Sequence, residues 1–219
     1  MKKTIAALFI LFAFSAISCK KQGSQQSGAQ SQNVVLDEAQ INKILQTVKN
    51  TPAVPVKPNE FGFIKTNYGL IKLKFYPQKA PNTCANFKRL ANAGFFNGTT
   101  FHRVVTDFVV QGGDIMSRDA DRSNDGTGEI GYTIDAEITD LLHERGSIAM
   151  ARKGDDLNSA SSQFYICLKK LTNLDGSDTV FAQVVEGMDV VDRIAAVNRD
   201  GRDNPIERVE MFKVWVGTE

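Results

Sequence analysis

The sequence contains few of the side chains that build metal and redox centres. Its 219 residues include only two histidines and three cysteines. A zinc site needs about four such ligands close together, and neither histidine has a cluster of cysteines or carboxylates beside it. We therefore expect no metal and no cofactor. Cys84 and Cys167 lie in separate apolar stretches, which is typical of free buried thiols, so we also expect no disulfide.

The chain also lacks an excess of charge of either sign. Lysine and arginine number 26 and aspartate and glutamate number 25, which gives a formal net charge of +1. A polyanionic partner would favour a clear basic excess, so the charge balance gives no support for nucleic-acid binding. Hydrophobic residues make up 42% of the chain, which fits a globular protein with one well-buried domain.

Long apolar runs are missing except for a short one near the start. The basic start MKK precedes an apolar run from Ile5 to Ile17, which is the layout of a secretory signal and is shorter than the roughly 20 residues of a membrane span. The stretch AISC, ending at Cys19, is similar to the lipobox of bacterial lipoproteins, which are cut before a cysteine that receives diacylglycerol. We predict a signal peptide over 1–18 and lipidation of Cys19. The alternative is a plain secretory signal with an incidental cysteine.

Two further segments precede the main part of the chain. Residues 19–35 are rich in Ser, Gln and Gly without apolar spacing, which predicts a flexible tether behind the lipid anchor. Residues 36–59 combine a short helix with a Pro-rich spacer. Apolar residues share one face of this helix, and Asp37 and Gln40 are spaced as a capping box. A helix packed on the main domain is our interpretation, and a helix on the membrane surface is the alternative.

From residue 60 to residue 219 the pattern favours short strands. FGFIKTNYGLIKLKFYP alternates apolar and polar residues around a break at Asn67, which predicts a hairpin. Helices are predicted from Pro81 to Gly94 and around Met188, Val191 and Ile194. Further strands are predicted at 147–151, 163–168, 180–184 and in IERVEMFKVWVG. Many short strands with only two helices indicate a mainly β barrel or sandwich.

Five motifs within this region occur in a characteristic order. They are FHRVVTDFVVQGGD, DGTGEIGY, RGSIAMAR, NSASSQFYICL and LDGSDTVFAQVVEGMDVVD. Together they resemble the cyclophilins, a family of peptidyl-prolyl cis-trans isomerases, over residues 61–219. The sequences MAR and NSASSQF are more similar to those of bacterial cyclophilins than to those of animal ones. The resemblance implies a closed eight-stranded antiparallel β-barrel capped by two α-helices. It also implies the activity of EC 5.2.1.8.

The family's reaction explains why Arg103 and Gln111 flank so apolar a stretch. Rotation about an X-Pro bond breaks amide resonance, with a barrier of about 18–20 kcal/mol. In the twisted state the proline nitrogen regains a lone pair, and a fixed donor stabilises that state alone. The resemblance assigns this donor role to Arg103, the orienting role to Gln111 and the packing of the proline ring to Phe108. It assigns substrate binding to Val109, Ala151, Arg152, Gln163, Tyr165, Leu174 and Phe181.

Two positions depart from the animal members of the family. Asn173 and Asp178 stand where those proteins carry the tryptophan that contacts cyclosporin and a histidine that lines the pocket. We therefore expect isomerase activity with weak cyclosporin binding.

Two nearby features are interpreted as structural. His102 is expected to point away from Arg103 because side chains alternate along a strand, and the loop with Asp119, Asp121, Asn124 and Asp125 lacks the closing glutamate of a calcium loop.

These observations predict a monomeric, lipid-anchored isomerase of the bacterial cell envelope. It would act on Pro-containing polypeptides, accelerating X-Pro isomerisation in exported or envelope proteins, and its contact with the membrane would run through Cys19. One alternative is a chaperone module that binds Pro-containing segments with little turnover. A second alternative, suggested only by the tether and anchor, is a surface protein that contacts a host.

Overall fold

The computed structural model describes residues 37–219. The predicted signal peptide, the tether and Cys19 therefore lie outside the described residues. The helices are α1 (Glu38–Asn50), α2 (Pro81–Asn92) and α3 (Met188–Ala195), and the strands are β1 (Phe61–Thr66), β2 (Gly69–Phe75), β3 (Arg103–Val105), β4 (Val109–Gly112), β5 (Ser147–Met150), β6 (Phe164–Cys167), β7 (Val180–Glu186) and β8 (Met211–Gly217). Short 3-10 turns span Met116–Arg118 and Thr172–Leu174. Among these residues no helix has the length and apolar character needed to cross a bilayer.

The eight strands form one antiparallel sheet, in the order β3-β4-β6-β5-β7-β2-β1-β8. The mainly β class is confirmed, but the closed barrel is wrong, because β3 and β8 remain the two ends of an open half-barrel within residues 37–219. The physical reason is that β3 is only three residues long. The segment before β3 meets the start of β8 and the residues just before it through isolated hydrogen bonds, from Phe101 N–H to the Val209 carbonyl at 2.9 Å and from Met211 N–H to the Thr99 carbonyl at 2.8 Å.

The predicted hairpin at the start of the sheet is confirmed. β1 and β2 pair in register from Phe61 opposite Lys74 to Thr66 opposite Gly69. The Thr66 hydroxyl accepts from the Gly69 N–H and donates to the Gly69 carbonyl, which closes the turn. Gly69 has a φ of +141°, a conformation that side-chain-bearing residues rarely adopt. The alternation read from the sequence thus places Ile71, among others, in the core.

Aromatic side chains fill the core between the sheet and α2. Phe87 of α2 lies within 5.1–5.7 Å, ring centre to ring centre, of Phe96, Phe164, Phe181 and Phe75. Such tilted and edge-on pairs add to the free energy of burying the rings themselves.

A distant carboxylate caps α2, because Ala80 at its N-cap has no side-chain acceptor. Glu137 accepts from the backbone N–H groups of Asn82 at 3.0 Å and Thr83 at 2.8 Å. A negative group at this end also complements the helix dipole.

The predicted first helix and its capping box are confirmed, and the helix packs on the domain. Asp37 accepts from Gln40 N–H at 2.8 Å, and the Gln40 side chain accepts from Asp37 N–H at 2.9 Å. Val48 is buried against the core, and its carbonyl accepts from Arg89 Nε of α2 at 2.9 Å. This packing matches the interpretation of a docked helix and adds a third α-helix to the two in the main region.

Candidate active site

The β3–β4 hairpin places the two polar residues of the stretch on one face. Arg103 and Gln111 lie directly opposite each other in the antiparallel register. Both are half-buried, whereas Val104 and Val110 on the other face are fully buried. Arg103 Nη1 donates to Gln111 Oε1 at 3.2 Å. The alternation of a strand therefore turns the apolar residues inward and brings the guanidinium and the amide together.

A chain of amide side chains holds this guanidinium in place. The Gln111 Nε2 donates to Gln163 Oε1 at 3.0 Å, and the Gln163 Nε2 donates to the Gly126 carbonyl at 2.9 Å. In each of these two side chains the amide oxygen accepts and the amide nitrogen donates. The hydrogen bonds therefore fix the orientation of the Gln111 and Gln163 amides. Gln163 acts behind Gln111 and does not line the groove itself.

The groove beside Arg103 has a volume of about 240 Å³ and an apolar floor. It is lined by Arg103, Phe108, Val109, Gln111, Ala151, Arg152, Gly154, Tyr165, Leu174 and Asp178. Its apolar residues belong to a hydrophobic cluster that is separate from the main core and includes Leu171 and Val180. Phe108 and Leu174 are only partly buried there, which leaves their surfaces available to a small apolar ring.

The carboxylate of Asp178, a half-buried residue, holds two other residues that line the groove. Asp178 accepts from Tyr165 Oη at 2.6 Å through one oxygen and from Arg152 Nε at 2.6 Å through the other. Burial, followed by the hydrogen bond to Asp178, raises the pKa of Tyr165 far above its ordinary value. The phenol therefore stays protonated and remains a donor.

Nine of the ten residues assigned to the site from sequence take part in this arrangement, and Phe181 does not. Its side chain is fully buried in the main core, 5.5 Å from the Phe87 ring and 6.4 Å from the Phe75 ring. The assignment of Phe181 to the pocket wall is therefore corrected. Its neighbour Val180 belongs to the cluster under the groove instead, because successive residues of a strand face opposite sides.

Two lining residues, Gly154 and Asp178, were not assigned to the site from sequence. In the sequence Asp178 stands out only as a departure from related proteins. It is 26 positions from Arg152, so the sequence gives no sign that the two residues are in contact.

His102 is buried, and burial lowers its pKa to about 4, so the ring is neutral near pH 7. Residues 37–219 contain no group of three or more His, Cys, Asp or Glu that could hold a metal ion.

Comparison with known proteins assigns the chain to one family. The family model described as "Cyclophilin type peptidyl-prolyl cis-trans isomerase/CLD" matches residues 62–216. The chain belongs to the cyclophilins. Accordingly the protein is a cyclophilin-type peptidyl-prolyl cis-trans isomerase.

Relatives of this cyclophilin occur in animals and bacteria. Peptidyl-prolyl cis-trans isomerase-like 1 of Homo sapiens is 37% identical over 160 residues, which cover 70% of this chain and 90% of that protein. A peptidyl-prolyl cis-trans isomerase of Helicobacter pylori is 41% identical over 138 residues, which cover 61% and 79%. Since both kinds match, the bacterial type stays a prediction.

A solved structure has the same fold. It is the cyclophilin type isomerase of Cryptosporidium parvum, crystallised in the presence of the dipeptide Ala-Pro. It aligns with a TM-score of 0.66 at 27% sequence identity and covers 73% of this chain and 99% of its own.

Proposed function

We propose that Arg103 is the catalytic donor of this isomerase. A proline ring would pack on Phe108, Val109, Tyr165 and Leu174, and the guanidinium at the rim would donate to the proline nitrogen as the imide twists. Two hydrogen bonds support this role because they fix the guanidinium. Arg103 Nη1 donates to Gln111 Oε1 at 3.2 Å, and Gln111 in turn donates to Gln163. A donor fixed before the reaction does not have to be reoriented in the transition state.

The required energy is within reach of such a group. A rate gain of about 10⁵ corresponds to about 7 kcal/mol of preference for the twisted state. A guanidinium stays charged at all relevant pH values and offers several donors in one plane. Its hydrogen bond is stronger in a groove with an apolar floor than in water. No nucleophile and no proton transfer are needed for this reaction.

The substrate is a Pro-containing polypeptide in an extended conformation. Ala151 and Arg152 follow β5 at the rim of the groove and would supply backbone groups to pair with it, in the manner of strand addition. The Cryptosporidium parvum relative was crystallised with Ala-Pro. This supports a Pro-containing peptide as the ligand of the present chain, which we propose acts as a monomer.

We further propose that the protein is a bacterial lipoprotein that serves exported or envelope proteins. The support lies in the apolar run from Ile5 to Ile17 and in the AISC sequence at Cys19. Residues 19–35 would then connect the lipid to α1 and keep the groove accessible to clients. Mass spectrometry of the N-terminal peptide from membrane fractions tests this. A diacylglyceryl group on Cys19 is expected, and an unmodified cysteine in a soluble protein would contradict it.

The catalytic proposal is tested with Arg103→Ala and Arg103→Lys. Exchange spectroscopy on an Ala-Pro peptide should show a loss of turnover of about 10²-fold or more for Arg103→Ala, with little change in peptide affinity. Arg103→Lys should recover only part of the rate, because an ammonium lacks the planar array of donors. Arg145→Ala is the control, since Arg145 pairs with Asp192 away from the groove. Full turnover by Arg103→Ala would favour the chaperone alternative.

A further inference from the structure

A second cavity opens beside the groove and shares part of its lining. Its volume is about 210 Å³. We call it the arginine pocket, lined by His102, Arg103, Gln111, Arg122, Asp125, Gly126, Arg202 and Asn204. Because Arg103 and Gln111 line both spaces, a peptide held against Arg103 has the arginine pocket directly beside it.

Backbone carbonyls hold two of the three guanidinium groups in this pocket. Arg122 donates to the carbonyls of Asn204, Pro205 and Ile206 at 3.3, 2.6 and 3.0 Å. Arg202 donates to the carbonyls of Arg122 at 3.1 Å and Ser123 at 3.3 Å. Carbonyl groups orient a guanidinium without cancelling its charge. The pocket is therefore ordered before any ligand arrives.

The charges that line the pocket are mainly positive. Three arginines face one carboxylate, Asp125, which already accepts from Asn204 Nδ2 at 2.6 Å. Asp200 lies 3.7 Å from Arg122, and Asp200 and Asp121 both interact electrostatically with Arg202. Neither carboxylate lines the pocket, but together they offset part of its positive charge. His102 is neutral, so it neither adds to the positive charge nor reduces it. The lining thus has a surplus of cations that could be matched by an anionic group.

We propose that the arginine pocket binds the carboxylate of an aspartate or glutamate side chain close to the proline of the substrate. This inference rests on the proposed function, because it requires the proline to lie in the groove. Each residue of an extended chain advances about 3.4 Å, so a residue within two positions of the proline lies close enough for its side chain to enter. Guanidinium groups suit a carboxylate because they can bind both of its oxygens.

Peptides with a single variable position test the preference. The mature protein is assayed by exchange spectroscopy on Ala-Pro peptides that carry Glu, Gln or Lys at each of the two positions before and after proline. At one position at least, Glu should exceed Gln by about fivefold in kcat/KM, as expected for a partly exposed ion pair, and Lys should fall below Gln. Raising the ionic strength to about 1 M should reduce the ratio, since salt screens such pairs.

Variants of one loop separate this inference from the proposed function. Arg202→Gln should bring the ratio of Glu to Gln close to one, and Arg202→Lys should keep most of it. Arg199→Gln is the matched control, because Arg199 bonds to Thr106 and the Ala195 carbonyl and does not line the pocket.

The two ways of failing are distinct. If the unsubstituted Ala-Pro peptide is turned over but no position shows a preference for Glu, the arginine pocket is not a substrate site. The same conclusion follows if Arg202→Gln keeps the preference. If no peptide is turned over, the proposed function itself fails.

Discussion

The Tyr165 hydroxyl and the Asp178 carboxylate are joined by a hydrogen bond of 2.6 Å in the wall of the groove. Arg152 uses the other carboxylate oxygen, so both oxygens of Asp178 are engaged. The Asp178 side chain is only 9% exposed. A buried carboxylate is stable when it is paired and hydrogen-bonded in this way. The Asp178 side chain thus holds both the Tyr165 ring and the Arg152 guanidinium in the lining of the groove.

Removing Asp178 should loosen the groove. Asp178→Ala leaves the Tyr165 hydroxyl and the Arg152 guanidinium without their acceptor, so we expect a loss of about 2 kcal/mol in the free energy of unfolding and a raised KM. Tyr165→Phe removes one donor and keeps the Asp178–Arg152 pair, so its effect should be smaller. Urea unfolding and kcat/KM measure both effects. A wild-type KM in Asp178→Ala would show that the pair does not shape the substrate site.

Activity should persist into alkaline solution. The pKa of Tyr165 is raised by its burial and by the hydrogen bond to Asp178. The neutral phenol is therefore the form favoured in the folded protein, and ionisation near the ordinary pKa of 10 does not occur. The profiles of kcat/KM against pH should run parallel in wild type and Tyr165→Phe between pH 7 and that value. A decline near pH 10 in wild type alone would contradict this expectation.

The ion pair formed by Glu60 and Lys88 should make the free energy of unfolding depend on pH. Lys88 Nζ lies 2.6 Å from Glu60 Oε2, and the side chains are 8% and 13% exposed. Burial alone would raise the pKa of Glu60, but hydrogen bonds from the Lys57 backbone and from Lys88 outweigh it, so the net shift is downward. A carboxyl with a lowered pKa stabilises the fold above its unfolded value, near 4.5, and loses that contribution as the pH falls through the folded value.

Glu60→Gln tests this dependence. It leaves the buried Lys88 cation without a charged partner, so we expect a loss of about 3 kcal/mol in the free energy of unfolding at pH 7. Below the folded pKa of Glu60 the difference from wild type should shrink. Urea midpoints at a series of pH values measure it. A constant difference across the series would show that the titration of Glu60 is not linked to folding.

The first helix should contribute to stability and leave catalysis unchanged. Val48 is 1% exposed, and no residue of α1 lines the groove. Val48→Ala should cost about 2 kcal/mol through lost packing, with unchanged kcat/KM at temperatures where the protein stays folded. Val54→Ala is the matched control, since Val54 is 44% exposed and its truncation should cost little. Equal unfolding midpoints for the two variants would indicate that α1 is not docked in solution.

Both cysteines of the folded domain should resist alkylation. Cys84 and Cys167 are free and buried, and burial raises the pKa of each to about 12. The thiolate is the reactive form, so iodoacetamide at pH 8 should leave both unmodified in the native protein and label both in urea. Peptide mass mapping distinguishes the two positions. Rapid labelling of either cysteine in the native state would show that its element opens readily.

The roles of Arg103 and Gln111 were assigned from the motif, but no turn was predicted between them. The two residues are eight positions apart and lie opposite each other in the register of β3 and β4, which depends on where the chain turns. The capping box of α1 was predictable because its contacts are local. Asp37 and Gln40 lie one helical turn apart, and the pairing depends on no other part of the fold.

Contacts between distant segments could not be read in this way. Asp178 meets Arg152 only after several strands have paired, and the cap that Glu137 provides for α2 spans 54 positions or more. The error at Phe181 has a different origin. Successive side chains of a strand point to opposite faces of the sheet, so a shift of one residue places the wrong side chain at the groove. Whether the sheet closes depends on the length of β3. The alternation of apolar and polar residues does not show accurately where a strand ends, so this length could not be predicted.

Arg103 begins an edge strand, whereas Tyr165 lies in β6, which has a paired strand on each side. On the outer side of β3, Val104 N–H bonds to the carbonyl of Asp203, a residue of a loop. The two walls of the groove therefore differ in how firmly they are anchored. Segments held by fewer backbone bonds open at lower free energy, so the backbone of β3 should open more readily than that of β6, and the hydrogen bond to Gln111 is what keeps the guanidinium in position.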